Sequence, residues 1–196
     1  AVQADPSLAA AILDNLKCDS SLYVRKSVAN HLNDITKDHP AWALDVIEGW
    51  SLDDPRTAWI AKHALRSLIK QGDVRALTII GAGAKPQVQI HRLKVEPAVI
   101  SLGEGITLSF ELQSTAEQDQ RLVVDYAIEY VKASGATSAK VFKLKGLALP
   151  AHARQCLSRA QQIRDMTTRK HYAGSHAVHI MVNGERLAST AFEIRD

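Results

Sequence analysis

The residues with the clearest chemical potential are basic side chains that recur along two segments in the first half of the chain. Lys62, Arg66 and Lys70 are spaced four residues apart, which places them on one face of an α-helix. Lys26 lies in an earlier segment, at the position that matches Lys62 in an internal repeat. If the two helices stack, these cations form a continuous ribbon suited to the phosphates of a nucleic acid. The same charges are also typical of a solvated helix face, so both interpretations stay open.

Other residue types show no pattern of a catalytic or metal-binding site. His31 and His63 lie in separate predicted helices, and the eight histidines have no HxxxH, HExxH or Cys/His spacing. His176 and His179 are three residues apart on a predicted strand, so they point to opposite faces, and we interpret them as surface histidines. Asp34 is a weak candidate for a catalytic carboxylate, because it can cap a helix or pair with a lysine equally well. We therefore predict no metal and no cofactor.

A repeat of paired helices positions these side chains. The apolar positions of YVRKSVANHLNDITKDHP recur in AWIAKHALRSLIKQGD, 36 residues later, as Leu32 and Leu68 illustrate. The preceding helix repeats as well, since DPSLAAAILDNL and HPAWALDVIEGW both place a proline in the first turn, where its missing N–H costs nothing. Paired helices in units of about 35–40 residues are typical of an α-solenoid of the HEAT type.

The helix predicted for YVRKSVANHLNDITKDHP, residues 23–40, has two distinct faces when successive residues are placed about 100° apart around its axis. An apolar stripe is formed by Val24, Val28, Leu32 and Ile35. A polar, partly basic side lies opposite, formed by Lys26, Asn30, Asn33 and Lys37. The tryptophans of this half are expected to pack in the core or in a groove, and they are Trp42, Trp50 and Trp59.

From Lys85 onward the apolar period changes from that of a helix to two, which indicates half-buried strands. The candidate strands are 88–95, 106–112, 122–131, 141–149, 155–163, 177–182 and 187–194. Seven or so short strands separated by turns predict an antiparallel sandwich. The glycines and proline of GAGAKP mark the boundary. The predicted domains are therefore a helical part over 1–84 and a sandwich over 85–196.

Composition limits the broad class of protein. The chain has 196 residues, 46% of them hydrophobic, which fits two small domains better than one large core. No apolar run approaches the roughly 18 residues of a membrane span, and Cys18 and Cys156 suggest neither a disulfide framework nor a metal site, so we expect a soluble protein of the cytoplasm. The net charge of +3 lies entirely beyond residue 85 and is too small to indicate nucleic acid by itself. Because the chain starts at Ala1 without a methionine, we expect processing or a piece of a longer solenoid.

The two repeat segments resemble a known family. YVRKSVANHLNDITKDHP followed by TAWIAKHALRSLIKQGD resembles the C-terminal repeats of HEAT-like alkylpurine DNA glycosylases of the AlkC branch. LVVDYAIEYVKASGATSAKVFKLK and TTRKHYAGSHAVHIMVNGE are similar to the immunoglobulin-like domain that distinguishes this branch from the AlkD branch. The resemblance implies a HEAT-like α-solenoid fragment followed by an immunoglobulin-like antiparallel β-sandwich.

The resemblance also implies an activity, which is the excision of cationic N3-alkylated bases such as 3-methyladenine from duplex DNA without a metal. A positively charged base is already a good leaving group, so such an enzyme mainly stabilises the developing sugar cation with a carboxylate and aromatic contacts, and places a water. Family members carry several further repeats upstream, which supply much of the groove and the expected key carboxylate. Whether this chain catalyses by itself therefore stays open, and no obligate protein partner is predicted.

Residues carried over by position define the expected DNA contacts. Arg25 and Lys26 match the basic pair that faces phosphate in the family. Asn30 begins the NHLND part of the AlkC-like pattern, whereas the AlkD branch has a tryptophan at this position. The loop at 167–172 is implied to reach the duplex from the side opposite the helical groove. The full set of expected contacts is Arg25, Lys26, Asn30, His31, Asn33, Lys62, His63, Arg66, Lys70, Arg169 and Lys170.

Two other classes of function remain. The first is a non-enzymatic interaction module, which would hold a protein partner through an exposed apolar or aromatic patch. The second is a truncation product that keeps DNA affinity but lacks glycosylase chemistry. DNA binding would be distinguished by its steep dependence on salt.

Overall fold

The chain divides into two compact units, Ala1–Ala84 and Lys85–Asp196. The structure, a computed structural model, describes residues 5–83, 85–165 and 170–195. The first unit is helical, and the second is built from strands. Within the described residues no helix is long and apolar enough to cross a membrane.

The described part of the helical unit contains a short 3₁₀ helix, Pro6–Ala9, and six α-helices. These are α1 (Ala10–Leu16), α2 (Leu22–Asp38), α3 (Pro40–Glu48), α4 (Pro55–Ala64), α5 (Arg66–Gln71) and α6 (Val74–Ile79). Proline stands in the first turn of the 3₁₀ helix, of α3 and of α4, as the sequence predicts for the first two. The Asp54 carboxylate accepts a hydrogen bond from the backbone N–H of Arg56 and so caps α4.

Helix α2 is the centre of this unit, since it packs against α1, α3, α4 and α5. Its buried residues include Val28, Leu32 and Ile35, so three of the four residues of the predicted apolar stripe are confirmed, and Val24 is half-buried. Asn33 was expected on the polar side, and this is wrong, because only 4% of the residue is exposed. Its Oδ1 accepts a hydrogen bond of 3.0 Å from Ser67 Oγ on α5. The buried face of α2 is wider than the apolar stripe because both α4 and α5 pack against this helix.

The second repeat segment is interrupted, although its periodicity predicts one continuous helix. Leu65 adopts φ −85° and ψ 5° between α4 and α5. Its N–H still donates to the Ala61 carbonyl at 3.0 Å, and its carbonyl accepts from the Ile69 N–H at 2.8 Å, so Leu65 itself keeps both of its helical hydrogen bonds. Leu65 is fully buried. The basic positions 62, 66 and 70 therefore span a break between two short helices.

The second unit contains eight described strands in two sheets. The strands are β1 (Val88–Glu96), β2 (Val99–Ser101), β3 (Gly105–Ser114), β4 (Gln120–Val131), β5 (Thr137–Leu149), β6 (Arg154–Gln162), β7 (Gly174–Val182) and β8 (Glu185–Arg195). One sheet has the order β1-β3-β6, and the other has the order β2-β8-β7-β4-β5. Each predicted strand corresponds to an observed one. The prediction missed β2, which has three residues and pairs in parallel with β8, so the sheets are not wholly antiparallel.

Alternate residues of the strands build the core of this unit. Phe110 and Leu112 of β3 and Ile128 of β4 are buried there, as period-two patterning predicts. The ring of Tyr126 stacks on Phe142 with centroids 5.1 Å apart. Its hydroxyl donates a hydrogen bond of 2.7 Å to the Gln161 side chain on β6, so the buried polar atom is satisfied.

The two histidines of β7 are buried, and their predicted place on the surface is wrong. His176 is 0% exposed and stacks on Phe192 with centroids 5.2 Å apart, on the core side of the strand. Its Nε2 donates to the Tyr172 carbonyl at 3.0 Å, and its Nδ1 accepts from the Val131 N–H at 3.4 Å. His179 is 5% exposed and lies on the other face. Strand alternation gives the opposite directions correctly, but it does not reveal what covers each face.

The stability of the sandwich unit is expected to fall with pH below about 6.5, because burial lowers the pKa of His176. The folded state favours the neutral imidazole, so the unfolded chain takes up the proton first as the pH decreases. The contribution of neutral His176 to stability is fully present above the pKa that this histidine has in the unfolded chain, and it declines below that pH. Urea midpoints measured across this range should show the decline. His176→Gln should flatten it, whereas the exposed control His152→Gln should not. Equal pH dependence in the wild type and in His176→Gln would contradict this assignment.

Candidate nucleic-acid interface

Exposed polar residues on neighbouring helices form the candidate interface. On α2 they are Lys26, Asn30, His31 and Asp34, and on α4 and α5 they are Lys62, Arg66 and Lys70. The packing of α2 against α4 and α5 places the two sets on adjacent elements. Because a helix directs residues four apart to one side, Lys26, Asn30 and Asp34 share one side of α2, and Arg66 and Lys70 share one side of α5. Lys62 precedes them at the end of α4. These residues form the candidate interface, which is mainly basic and includes the Asp34 carboxylate.

Asp34 connects the two sets electrostatically. Lys37 Nζ donates to its Oδ1 at 2.7 Å. This hydrogen bond is the main reason that the pKa of Asp34 is lowered, and the charges of Lys37, Arg66 and His31 lower it further. The carboxylate is thus ionised at neutral pH. An ionised carboxylate can stabilise a nearby developing cation, although the exposure of Asp34 to water weakens its field.

Arg25 joins α2 to α4 through an aromatic stack. Its Nη1 donates to the carbonyl oxygens of Asp19 and Ser20, each at 2.8 Å, which holds the turn before α2. Its guanidinium carbon lies 6.0 Å from the centroid of the Trp59 ring. Trp59 stacks on His63 with centroids 3.7 Å apart, and His63 Nδ1 donates to the Trp59 carbonyl at 2.8 Å. Arg25 and His63 are half-buried and take part in the packing between helices.

Polar contacts between other helices hold this surface in place. Thr57 Oγ1 at the start of α4 donates to the Lys17 carbonyl at the end of α1 at 3.0 Å. Arg75 on α6 binds two carboxylates of α3, Asp45 at 2.7 Å and Glu48 at 2.6 Å. Together with the Ser67–Asn33 hydrogen bond, these contacts link α1 to α4, α3 to α6 and α2 to α5. The helices that carry the basic residues are therefore joined to their neighbours by side-chain contacts.

The structure brings together most of the predicted contacts of the helical unit. Exposed members are Lys26, Asn30, His31, Lys62, Arg66 and Lys70. Asn33 is the one buried member, and its side chain is engaged inside the unit. Sequence reasoning missed the stack of Arg25, Trp59 and His63, although the spacing of four residues between Trp59 and His63 was a usable signal.

The predicted basic loop of the second unit is described only in part. Arg169 lies outside the described residues. Lys170 is exposed and directly precedes His171, which is buried. The His171 N–H donates to Asp165 Oδ1 at 2.8 Å, and its ring meets Tyr130 edge to face with centroids 4.9 Å apart. These contacts fix the backbone next to Lys170.

Residues 5–83, 85–165 and 170–195 contain no group of three or more His, Cys, Asp or Glu side chains arranged to hold a metal ion. Cys18 and Cys156 are both exposed free thiols.

Comparison with known proteins identifies the second unit. The family described as "Uncharacterised protein YhaZ, C-terminal Ig-like domain" matches residues 89–196, which is more than half of the chain. The chain belongs to the YhaZ family. The predicted immunoglobulin-like character of the second unit is confirmed, while the HEAT character of the helical unit stays a prediction.

Two relatives match this YhaZ-family chain along almost its whole length. "Uncharacterized protein YhaZ" of Bacillus subtilis (strain 168) is 42% identical over 194 residues, which cover 99% of this chain and 54% of that protein. The structure of Pseudomonas fluorescens alkylpurine DNA glycosylase AlkC, bound to DNA containing an abasic site analog, is 69% identical with a TM-score of 0.96. That match covers 100% of this chain and 54% of that one. The chain thus spans about half the length of both relatives, and the resemblance to the AlkC branch is confirmed at the level of the family.

Proposed function

We propose that this chain acts in DNA alkylation repair, as part of a glycosylase that binds duplex DNA and releases N3-alkylated bases such as 3-methyladenine by hydrolysis of the N-glycosidic bond. The observation that carries the proposal is the 69% identity to AlkC, whose structure contains DNA with an abasic site analog. An abasic site is what remains of a nucleotide after its base has been released. The TM-score of 0.96 over the whole chain supports the same use of the fold.

The exposed cations of the helical unit are the proposed contacts to the DNA backbone. Lys26, Lys62, Arg66 and Lys70 supply positive charge, and Asn30 and His31 beside them supply polar groups for hydrogen bonds to phosphate. Backbone contacts of this kind carry no sequence information, which suits a protein that must inspect any sequence. Lys170 of the second unit is a further proposed contact. Asn33 is omitted because it is buried.

The helix pairs are proposed to be HEAT-like repeats. The packing of α2 against α4 and the matching prolines of the 3₁₀ helix and α3 support this assignment. Asp34 is the carboxylate of this surface to test first for a role in excision, because its lowered pKa keeps it ionised beside Arg66. A fixed negative charge would favour the sugar cation that develops as a cationic base departs.

Titration of a fluorescently labelled DNA duplex with this chain tests the proposal. If the five proposed cations each neutralise one phosphate, log K should fall against log salt with a slope of about −4.5. Duplexes with and without an abasic site analog should both bind, since backbone contacts dominate. Absence of binding at about 50 mM salt, or binding that does not change with salt, would contradict the proposal.

A protein-interaction module is the second candidate, and one observation favours it. Leu8 and Ile12, four residues apart, are 63% and 62% exposed, and Tyr23 is 80% exposed. Exposed apolar and aromatic residues of this kind are typical of protein-binding sites. The DNA proposal expects Ile12→Ser to leave DNA affinity unchanged. The interaction module would be favoured if the chain does not bind DNA and if Ile12→Ser reduces its self-association or its binding to other proteins.

A further inference from the structure

Three hydrogen-bonded side chains cross the outer face of the five-stranded sheet. Ser189 Oγ on β8 lies 2.7 Å from His179 Nδ1 on β7, and His179 Nε2 lies 3.0 Å from Glu129 Oε1 on β4. Strand pairing sets up this row, because His179 is directly opposite Ser189 on one side and opposite Ala127 on the other. Ala127 and Glu129 share a face, since residues two apart on a strand point the same way.

The acceptors in this row determine where the hydrogens are. The Glu129 carboxylate can only accept, so His179 Nε2 carries the hydrogen of that bond. His179 Nδ1 is then the acceptor for the Ser189 hydroxyl. Arg186 Nη2 lies 3.4 Å from the same Glu129 oxygen and helps to orient the carboxylate. The imidazole is therefore held in the tautomer that can take a proton from serine.

The three side chains differ in solvent exposure in the way expected for a serine nucleophile and its base. The His179 side chain is 6% exposed and Glu129 is 28% exposed, whereas Ser189 is open to solvent. A sheltered base that is oriented by a third group and bonded to an accessible hydroxyl is the signature of an activated serine. The row has no role in the proposed binding of DNA by the helical unit.

Strand β8 also offers donors for a developing oxyanion. Within the described residues β8 pairs with β2 only at positions 193–195, so the edge beside Ser189 that faces away from β7 has no strand partner. Successive N–H groups of a strand point to alternate edges, so either Ser189 or Thr190 directs its N–H to that unpaired edge. Such a donor can stabilise an oxyanion that forms at the serine.

We propose that Ser189, His179 and Glu129 form a nucleophilic serine site that cleaves small activated carboxylic esters, an activity separate from base excision. Ser189 Oγ attacks the ester carbonyl carbon while its proton passes to His179 Nδ1. The tetrahedral species collapses, and the leaving alkoxide takes that proton and departs as an alcohol. Water, deprotonated by the same imidazole, then cleaves the acyl-serine, which releases a carboxylic acid and restores the hydroxyl. Ser189 and His179 are the catalytic residues, and Glu129 is a positioning residue.

Neighbouring side chains favour small apolar acyl groups. Ala191 lies two residues from Ser189 on the same face of β8, and its cross-strand partner on β7 is Ala177. Methyl side chains on both strands leave room beside the hydroxyl and offer no charge to bind a larger polar substrate. Acetyl esters are thus the simplest probe of this site.

A fluorophosphonate probe, which bonds covalently to activated serines, tests the proposal on the intact chain. We expect one labelled site, mapped to Ser189 by peptide mass spectrometry, and slow hydrolysis of p-nitrophenyl acetate. Ser189→Ala should abolish both signals, and His179→Gln should lower the labelling rate by about 100-fold. The control Ser175→Ala changes an exposed serine of the same sheet and should label as the wild type does.

Glu129→Gln separates positioning from a purely structural role. It keeps the size and an acceptor but removes the charge, so it should lower the rate constant of inactivation while leaving the probe's KI and the thermal midpoint unchanged. Labelling that is equal in the wild type and in Ser189→Ala would overturn the proposal. The proposal would also be overturned if the folded wild type is not labelled by the probe. The three side chains would then only form a structural contact between strands.

Discussion

Replacing Lys62 and Arg66 together by alanine is expected to weaken the binding of duplex DNA by about 50-fold at about 0.1 M salt. Both side chains are exposed, and they belong to neighbouring short helices that pack on α2. Each cation removed from a phosphate contact reduces the slope of log K against log salt by about 0.9, so the pair should remove about 1.8. The buried neighbours Ala61, Ala64 and Leu65 are untouched, and the fold should persist.

Fluorescence anisotropy of a labelled duplex, measured over a series of salt concentrations, gives both the affinity and the slope. The matched control is the double variant Lys17→Ala with Arg56→Ala, which removes the same charge from the same unit. Both side chains pair with a carboxylate close to them in the chain, Lys17 with Asp14 at 2.6 Å and Arg56 with Asp54 at 2.7 Å. The control should keep the wild-type slope. An equal loss in both double variants would mean that net charge, and not this surface, governs binding.

A second large effect is expected at Leu32, which is fully buried at the middle of α2. Leu32→Ala removes apolar contacts and leaves a cavity between helices, which should cost about 2–5 kcal/mol of unfolding free energy. A typical domain has only about 5–15 kcal/mol in total. The helical unit should therefore unfold at a much lower urea concentration, and the basic surface that α2, α4 and α5 form together should be lost with it.

Circular dichroism at a wavelength dominated by helix follows this transition. His31→Ala, one residue away and exposed, is the matched control and should shift the midpoint little. A destabilisation by Leu32→Ala below about 1 kcal/mol would show that α2 is not the centre of the helical core. It would also mean that packing on α2 is not what holds the two basic sets on adjacent helices.

The sequence predicts those parts of the fold that depend on a simple period. Val28, Leu32 and Ile35 recur at helical spacing and are buried, and Phe110 and Leu112 alternate with polar residues and lie in the sandwich core. The prolines at helix starts were equally predictable, because their missing N–H favours positions in the first turn of a helix. Each of these predictions rests on interactions within a few residues of chain.

Features that depend on distant partners were not predictable in this way. The burial of Asn33 depends on Ser67, 34 positions away, whose hydroxyl donates a hydrogen bond to the Asn33 side-chain oxygen. His179 is buried because Glu129 and Ser189 come from other strands, which no local pattern reveals. β2 was missed because three residues show too little alternation to indicate a strand. The exposed basic residues were found since cations at helical spacing are visible in the sequence, but their use by DNA still depends on experiment.

The most direct test replaces the matching segment of P. fluorescens AlkC with this chain, which is 69% identical to it along its full length. The chimaera is incubated with methylated duplex DNA, and free 3-methyladenine is measured. We predict release by the chimaera, and strong loss of release when Lys62 and Arg66 are changed to alanine within it. A folded chimaera that binds DNA but releases no alkylated base would contradict the proposed role of this chain in alkylation repair.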